Sequence, residues 1–180
     1  MVKSLQIIIT CLVCLFLIVQ IGNNVVYENI NISEPPGYYL AIPGLPIKKD
    51  SYVITCITNK GYKHVFNELG MKDVKGQCDT GMQYLVKRVA AVEGDRVDVT
   101  SSGILINGTL YLNSRQFLEG RGVKLYPLPI GYSHVMAKDE FFLLGQSPHS
   151  VDSRYFGVVK REDIYRRAFL VFRTNIKGDK

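Results

Sequence analysis

The chain has 180 residues, of which 47% are hydrophobic, and a formal net charge of +6. This length and apolar share suit a single domain with its own core and exclude an intrinsically disordered chain. The cations are scattered through strand-like segments and form no patch with aromatic residues, so we expect no nucleic-acid partner.

Residues 5–22 are almost wholly apolar, with Gln6, Thr10 and Gln20 as the polar exceptions. As a helix the stretch is about 26 Å long, enough to span a bilayer with local thinning. No pair of small residues marks a cleavage site near its end, which favours an uncleaved anchor over a signal peptide. Lys3 precedes it, and no Lys or Arg occurs from 23 to 47. The positive-inside rule therefore predicts a cytoplasmic tail (1–4), a transmembrane anchor (5–22) and an external domain (23–180).

The external domain is predicted to be mainly β. Segments rich in β-branched and aromatic residues predict strands at 51–58, 84–92, 96–100, 141–144 and 164–172. The Asn107-Gly108 pair, flanked by apolar residues, predicts a hairpin with a type I′ turn. Residues 62–69 predict one short helix that ends at Gly70.

Cys56 and Cys78 flank that helix in the external domain. In an oxidising compartment we expect them to form a disulfide, which contributes about 3 kcal/mol in the chain-entropy description. A metal site needs more ligands than nearby His64 supplies, and His134 and His149 lack ligand spacing. We therefore expect no metal and no cofactor.

Lys87 interrupts an apolar strand. The period of two puts Lys87 on one face with Leu85, Val89 and Ala91, and Arg88 on the opposite face. A lysine in such a strand is usually an edge residue that prevents aggregation, or one that extends its amine to solvent. If it is buried instead, its pKa falls and the neutral amine becomes a proton acceptor.

Two further segments carry possible chemistry. Ser33 is followed by two prolines and Gly37, which alone indicates a turn, and it lies within about 40 Å of the predicted anchor. Residues 150–154 (Ser-Val-Asp-Ser-Arg) place Asp152 and Arg154 where they can form a charge-assisted pair. That pair alone is compatible with a purely structural role.

Together, residues 33–36, 87–97 and 150–154 resemble, in order, the serine, lysine and Ser-x-Asp-Ser-Arg boxes of type I signal peptidases. The single anchor, the cysteine pair around a helical insertion, and residues 103–108 and 152–157 look like one branch of these enzymes, the conjugative-transfer peptidase family TraF. The resemblance covers nearly the whole chain after the anchor.

This resemblance implies a signal-peptidase-like β-domain in the periplasm, anchored in the inner membrane. It implies that Ser33 attacks the scissile carbonyl and that Lys87, neutral at rest, takes its proton and gives it to the leaving amine. Ser150 matches the hydroxyl that orients the lysine, and Asp152 and Arg154 match a structural ion pair. The implied partners are the lipid bilayer and an exported precursor protein, by analogy a conjugative pilin, which some relatives cyclise.

The chain departs from the family pattern at two places. Asn31 stands where the family often has a Ser or Thr that contributes to the oxyanion hole, and an amide can donate in its stead. Residues 145–149 (Gly-Gln-Ser-Pro-His) replace the Gly-Asp-Asn opening of housekeeping enzymes, which favours the specialised branch.

Other interpretations remain. A non-enzymatic anchored β-domain needs Ser33 only as a turn residue and Lys87 only as an edge residue, and a housekeeping signal peptidase shares the boxes. A Ser-His-Asp hydrolase using His134 or His149 lacks a Gly-x-Ser-x-Gly elbow. A LexA-like repressor needs a DNA-binding module where the predicted anchor lies.

Overall fold

The computed structural model describes residues 6, 7, 9–11, 25–57, 60–70, 78 and 82–174. Their strands are β1 (Val26–Asn29), β2 (Gly37–Ile42), β3 (Tyr52–Thr55), β4 (Leu85–Ala91), β5 (Arg96–Thr100), β6 (Gly103–Ile106), β7 (Thr109–Leu110), β8 (Glu119–Gly120), β9 (Val123–Lys124), β10 (Ser133–Val135), β11 (Glu140–Leu144), β12 (Val159–Lys160) and β13 (Ile164–Arg173). The helices are α1 (Lys60–Glu68) and α2 (Ser153–Phe156), with a 3₁₀ turn at Arg161–Asp163. The predicted mainly β fold with a short helical insertion is confirmed.

Strand β4 lies inside a seven-stranded antiparallel sheet with the order β1-β2-β13-β3-β4-β11-β12. Val53 of β3 is opposite Lys87, and Leu144 of β11 is opposite Arg88. A four-stranded sheet, β10-β5-β6-β7, and a β8-β9 ribbon accompany it. Because β4 is paired on both sides, the interpretation of Lys87 as a residue of an edge strand is wrong.

The local predictions agree well with the strands and with the helix. The strand predicted at 96–100 has the bounds of β5, whereas β3 ends three residues before the predicted 58. Asn107 (φ 51°) and Gly108 (φ 80°) both adopt the positive φ that a type I′ turn requires. Helix α1 starts two residues early and is followed by Gly70 at φ 75°, which supports its termination.

The core consists of three apolar clusters. The first packs α1 against one face of the large sheet, the second joins the two larger sheets, and the third lies on the opposite face. The first cluster includes Val53, Phe66, Leu85, Val89 and Leu143. The second includes Ala91, Val97, Ile104, Phe142 and Leu144. The third includes Tyr39, Ala41, Ile54, Val86 and Ala168.

The side chains of β4 alternate as predicted over most of the strand. Leu85 and Val89 belong to the first cluster, whereas Val86 belongs to the third. Ala91 is the exception, because the register with β11 shifts beside it and both Ala90 and Ala91 pack in the second cluster. Lys87 thus shares its face with Leu85 and Val89 but not with Ala91.

A disulfide joins Cys56 to Cys78, with their Cα atoms 5.8 Å apart. Helix α1 lies between them in sequence and contributes Val65 and Phe66 to the first cluster. The cross-link therefore ties the helical insertion to the end of β3.

The predicted cytoplasmic tail (1–4) and most of the predicted anchor (5–22) lie outside the described residues. Residues 6, 7 and 9–11 of that anchor are helical. Among the residues that the structure describes, no helix is both long and apolar enough to cross a membrane.

Candidate active site

Lys87 is a buried amine in the middle of the large sheet, with an exposed fraction of 2%. Its Nζ donates a hydrogen bond of 2.8 Å to Ser150 Oγ. Burial removes the hydration that favours the charged form and lowers the pKa of Lys87 to about 8, against the opposing attraction of Asp152 and Glu34. A substantial share of neutral amine therefore exists at mildly alkaline pH, and that amine can accept a proton.

Ser33 is half-buried in the loop between β1 and β2. Its carbonyl oxygen accepts hydrogen bonds from the backbone N–H groups of Gln146 (2.8 Å) and Ser147 (3.3 Å). Both donors belong to residues 145–150, which follow β11 and are called the β11 loop below. The serine is thus held against the same loop that supplies Ser150 to the lysine.

Asn29 and Tyr39 shape the loop that carries Ser33. Asn29 is 4% exposed, and its Nδ2 donates to the carbonyl oxygens of Asn31 (3.1 Å), Glu34 (3.1 Å) and Pro35 (3.2 Å). The Tyr39 hydroxyl donates to the Pro35 carbonyl at 2.7 Å. These bonds fix the backbone on both sides of the serine.

Gly145 lies where the Ser33 loop meets Ser150. A Cβ atom at this position would be 2.2 Å from Ser150 Oγ and 2.8 Å from the Ser33 carbonyl oxygen, so a residue without a side chain is required. Lys87 Nζ bonds to Ser150, and within the described residues Ser33 Oγ is not among its partners. The structure brings the two segments together without a direct Ser33–Lys87 hydrogen bond. Catalytic hydrogen bonds of this kind often form only when the substrate binds.

Asp152 and Arg154 form a fully buried ion pair. Arg154 donates from Nε to Asp152 Oδ1 and from Nη2 to Oδ2, both at 2.8 Å. The guanidinium also donates to backbone carbonyl oxygens of two separate segments, at Asn113, Arg115, Ser147, Pro148 and Ser150. The arginine therefore ties the β11 loop to the chain around residue 114.

Asp152 also holds the start of the β11 loop. Its Oδ2 accepts from the Gly145 N–H at 2.8 Å, while its Oδ1 accepts from the Arg154 N–H at 3.1 Å and so caps α2. In the next position Ser153 Oγ accepts from the Leu143 N–H at 2.9 Å. Neither side chain is hydrogen-bonded to Lys87 in the described residues; both hold the backbone of the site, and Asp152 also attracts the Lys87 amine electrostatically.

Glu34 is a residue at this site that the sequence analysis missed. It follows Ser33 and is 1% exposed. Burial raises the pKa of Glu34 to about 7, although Lys87 and Arg88 oppose the shift. The sequence signal that could have indicated Glu34 is an acidic residue next to a candidate nucleophile. Its burial could not be predicted, because loop residues have no periodicity.

The remaining predicted residues are placed as follows. Asn31 lies in the Ser33 loop, where its backbone N–H donates to Asn29 Oδ1 at 3.2 Å. His134 Nε2 bonds to Glu140 Oε2 at 2.6 Å, and the His149 ring stacks on Phe117 at 5.3 Å. These two histidines thus have structural partners away from Ser33, and Lys87 is the buried amine of the site.

The arrangement suits acyl transfer by a serine nucleophile. A buried amine with a depressed pKa can accept the hydroxyl proton, and a hydroxyl partner orients that amine. The class of protein that this fold and site indicate is a β-fold serine peptidase.

Comparisons with known proteins agree with that class. A family model described as signal peptidase, peptidase S26, matches residues 2–173. The plasmid transfer protein TraF of Escherichia coli is 31% identical over 137 residues, which are 76% of this chain and 76% of that protein. The conjugal transfer protein TraF of Agrobacterium tumefaciens strain 15955 is 30% identical over 148 residues, 80% of each chain. The chain therefore belongs to the signal peptidase family, peptidase S26, in the branch of the TraF proteins.

Among solved structures, a signal peptidase I from Enterococcus faecalis V583 is 16% identical to this chain. The alignment covers 68% of this chain and 97% of the other, with a TM-score of 0.37.

Proposed function

We propose that the chain is a membrane-anchored serine endopeptidase in which Ser33 is the nucleophile and Lys87 is the general base. The observation that carries the proposal is the Lys87 amine, 2% exposed and bonded to Ser150 beside the docked Ser33 loop. A lysine without a chemical role is rarely buried without an ion-pair partner in bonding distance.

The proposed reaction has two halves. Ser33 Oγ attacks the scissile carbonyl carbon while Lys87 Nζ takes the hydroxyl proton, and the tetrahedral intermediate then releases the amine, which receives that proton from Lys87. Water attacks the resulting ester, Lys87 takes a proton from the water, and the Ser33 oxygen leaves with that proton. In this scheme the Ser33 N–H and the Asn31 amide stabilise the oxyanion, Ser150 orients the lysine, and Asp152 and Arg154 support the β11 loop.

The proposed substrate is an exported precursor, specifically a conjugative pilin precursor. The names of the TraF relatives support the link to plasmid transfer. The apolar residues 5–22 and the charges around them support a single-pass inner-membrane protein with its catalytic domain in the periplasm. If a substrate amine reaches the acyl-enzyme before water, the product is a cyclised pilin.

Co-expression with a candidate pilin precursor tests the proposal, with mass spectrometry separating uncut, cut and cyclised products. We expect Ser33→Ala and Lys87→Met each to reduce cleavage by about 10³-fold or more, with the fold retained. Exposed Ser102→Ala and Lys138→Ala are matched controls that keep full cleavage. Cleavage that survives in either site variant contradicts the Ser/Lys mechanism. Equal cleavage of a general secretory precursor points instead to a housekeeping peptidase.

A further inference from the structure

Glu34 has a buried carboxyl group that no side chain in the described part of the protein pairs with, and the Arg88 backbone N–H lies beside it. The residue is 1% exposed, and both Oε1 and Oε2 are inaccessible to solvent and have no side-chain partner among the described residues. Buried carboxylates are normally paired or hydrogen-bonded because their desolvation is costly. The described fold keeps this group in place, and the mechanism above does not use it.

The backbone holds Glu34 in this position. Its carbonyl oxygen accepts from Asn29 Nδ2 at 3.1 Å, and the neighbouring Ser33 carbonyl is bound by the β11 loop. The loop is thus fastened on both sides of the Cα atom of Glu34, and the side chain is directed into the protein. The carboxyl group has little freedom to escape to solvent.

The interior around this carboxyl group contains the proposed base. The groups that interact electrostatically with Glu34 are Lys87 and Arg88 on β4, Asp152 before α2, Tyr39 on β2, and Tyr111. Lys87 exerts the strongest attraction among them. Arg88 directs Nη2 to the Tyr52 hydroxyl at 2.7 Å and forms no salt bridge with Glu34 in the described residues.

We propose that Glu34 is a positioning residue for Lys87: the buried carboxyl and the buried amine compete for one proton, and Glu34, acting beside the Asp152–Arg154 pair, thereby shifts the pH at which the amine becomes a base. This inference rests on the proposed Ser/Lys mechanism for its catalytic consequence. When the proton is on the amine, the two groups carry opposite charges and attract each other, and Lys87 cannot accept the Ser33 proton. When it is on the carboxyl group, both are neutral and Lys87 can act.

The direction of the titrations supports this coupling. Burial raises the pKa of Glu34 to about 7 and lowers that of Lys87 to about 8, so the two groups titrate in the same range. Two strongly interacting groups lose their protons in steps that belong to the pair rather than to either residue. Between those steps the site holds a single proton for two acceptors.

Replacing the carboxyl group by a neutral side chain removes the negative charge that attracts the protonated amine. Glu34→Gln and Glu34→Met no longer stabilise the protonated amine, so the pKa of Lys87 falls further. We expect the acidic limb of the pH–rate profile to move down by about one pH unit, which is about a tenfold gain in rate at pH 6. Glu28→Gln, an exposed carboxylate on β1, makes the same change in net charge and leaves the limb in place.

The experiment combines kinetics with a direct titration of the amine. The full chain, in detergent micelles, carries lysine labelled with ¹³C at Cε. The NMR signal of Lys87 is identified by its absence from Lys87→Met, and its chemical shift is followed from pH 5 to 11. In parallel, the pilin precursor used in the co-expression experiment is purified, and the rate of its cleavage is measured. Two Glu34 variants are used. If circular dichroism shows that one of them is misfolded, the other still tests the proposal.

We expect the titration midpoint of Lys87 to be lower in both Glu34 variants, and the acidic limb of the pH–rate profile to move down by the same amount. In Glu28→Gln both quantities stay at their wild-type values. Equal Lys87 titration curves in the wild type and the folded Glu34 variants overturn the proposal, whether or not the protein is a peptidase. A shifted titration together with uncut precursor in the wild type overturns the Ser/Lys peptidase and still supports the shared proton.

Discussion

Lys87 Nζ and Ser150 Oγ are 2.8 Å apart, although the residues are 63 positions apart in sequence. Ser150→Ala removes the acceptor, leaving a buried amine without an oriented partner. We expect kcat to fall about 10- to 100-fold with little change in KM, and stability to fall by about 1 kcal/mol. Steady-state kinetics and urea unfolding measure these effects, with Ser102→Ala as control. An unchanged kcat in folded Ser150→Ala contradicts the orienting role.

The pH dependence of the rate follows from the titration of Lys87. The amine accepts a proton only when neutral, so activity is lost as the pH falls through its pKa of about 8. We expect kcat/KM to rise with pH between 6 and 9 and then level. Initial rates over that range check this, and a profile flat down to pH 6 argues against lysine as base.

Gly145→Ala tests the contact between the two site segments. The added Cβ would lie 2.2 Å from Ser150 Oγ and 2.8 Å from the Ser33 carbonyl oxygen, so both segments must shift. We expect a loss of about 100-fold or more in kcat/KM and about 1–3 kcal/mol in stability. Gly120→Ala is the matched control, because the nearest atom to its Cβ is Leu125 Cδ1 at 3.3 Å and lies at the end of a flexible side chain. Equal activity of the two variants is the opposing outcome.

The Asp152–Arg154 pair is expected to support stability strongly. Arg154→Met leaves Asp152 as an uncompensated buried charge, and we expect a loss of about 3–5 kcal/mol in the free energy of unfolding. The control is Arg96→Met, which removes the partner of Asp98 in an exposed pair with the same spacing and costs about 0–1 kcal/mol. Chemical unfolding of both variants gives the comparison. A similar loss in both excludes a special role for the buried pair.

Glu140 predicts a loss of stability in acid. Hydrogen bonds from Lys160, His134 and the Ala137 N–H lower the pKa of Glu140 from 4.5 to about 2. Because the folded-state pKa is the lower one, this stabilisation is complete above about pH 4.5 and is lost as the pH falls to about 2.

Glu140→Gln should therefore lower the free energy of unfolding by about 1–2 kcal/mol at pH 7 and by almost nothing at pH 2. The value at pH 7 is kept small because solvent screens the charge of the exposed Lys160. Urea unfolding at several pH values tests this. A stability difference independent of pH assigns the effect to packing rather than to the charge.

The sequence predicts best those features that depend on local pattern. The alternation around Lys87 predicts that Leu85 and Val89 share its face, although the register shift beside Ala91 is not visible in it. Asn107-Gly108 predicts a hairpin turn, because this signal too lies within a few residues. The burial of Glu34 and the capture of Arg154 by carbonyls near residue 114 depend on contacts between distant segments. No periodicity in those loops reports them, so only the three-dimensional structure reveals them.

The many acceptors of Arg154 have a consequence for how the protein matures. The guanidinium can be buried only after the chain around residue 114, the β11 loop and Asp152 have come together. Ser150 is bonded through its carbonyl to Arg154 and through its hydroxyl to Lys87, so the contacts that bury the arginine are also those that place the partner of the lysine. In the proposed mechanism, a chain that lacks these contacts also lacks an oriented base, so peptidase activity requires the complete tertiary structure.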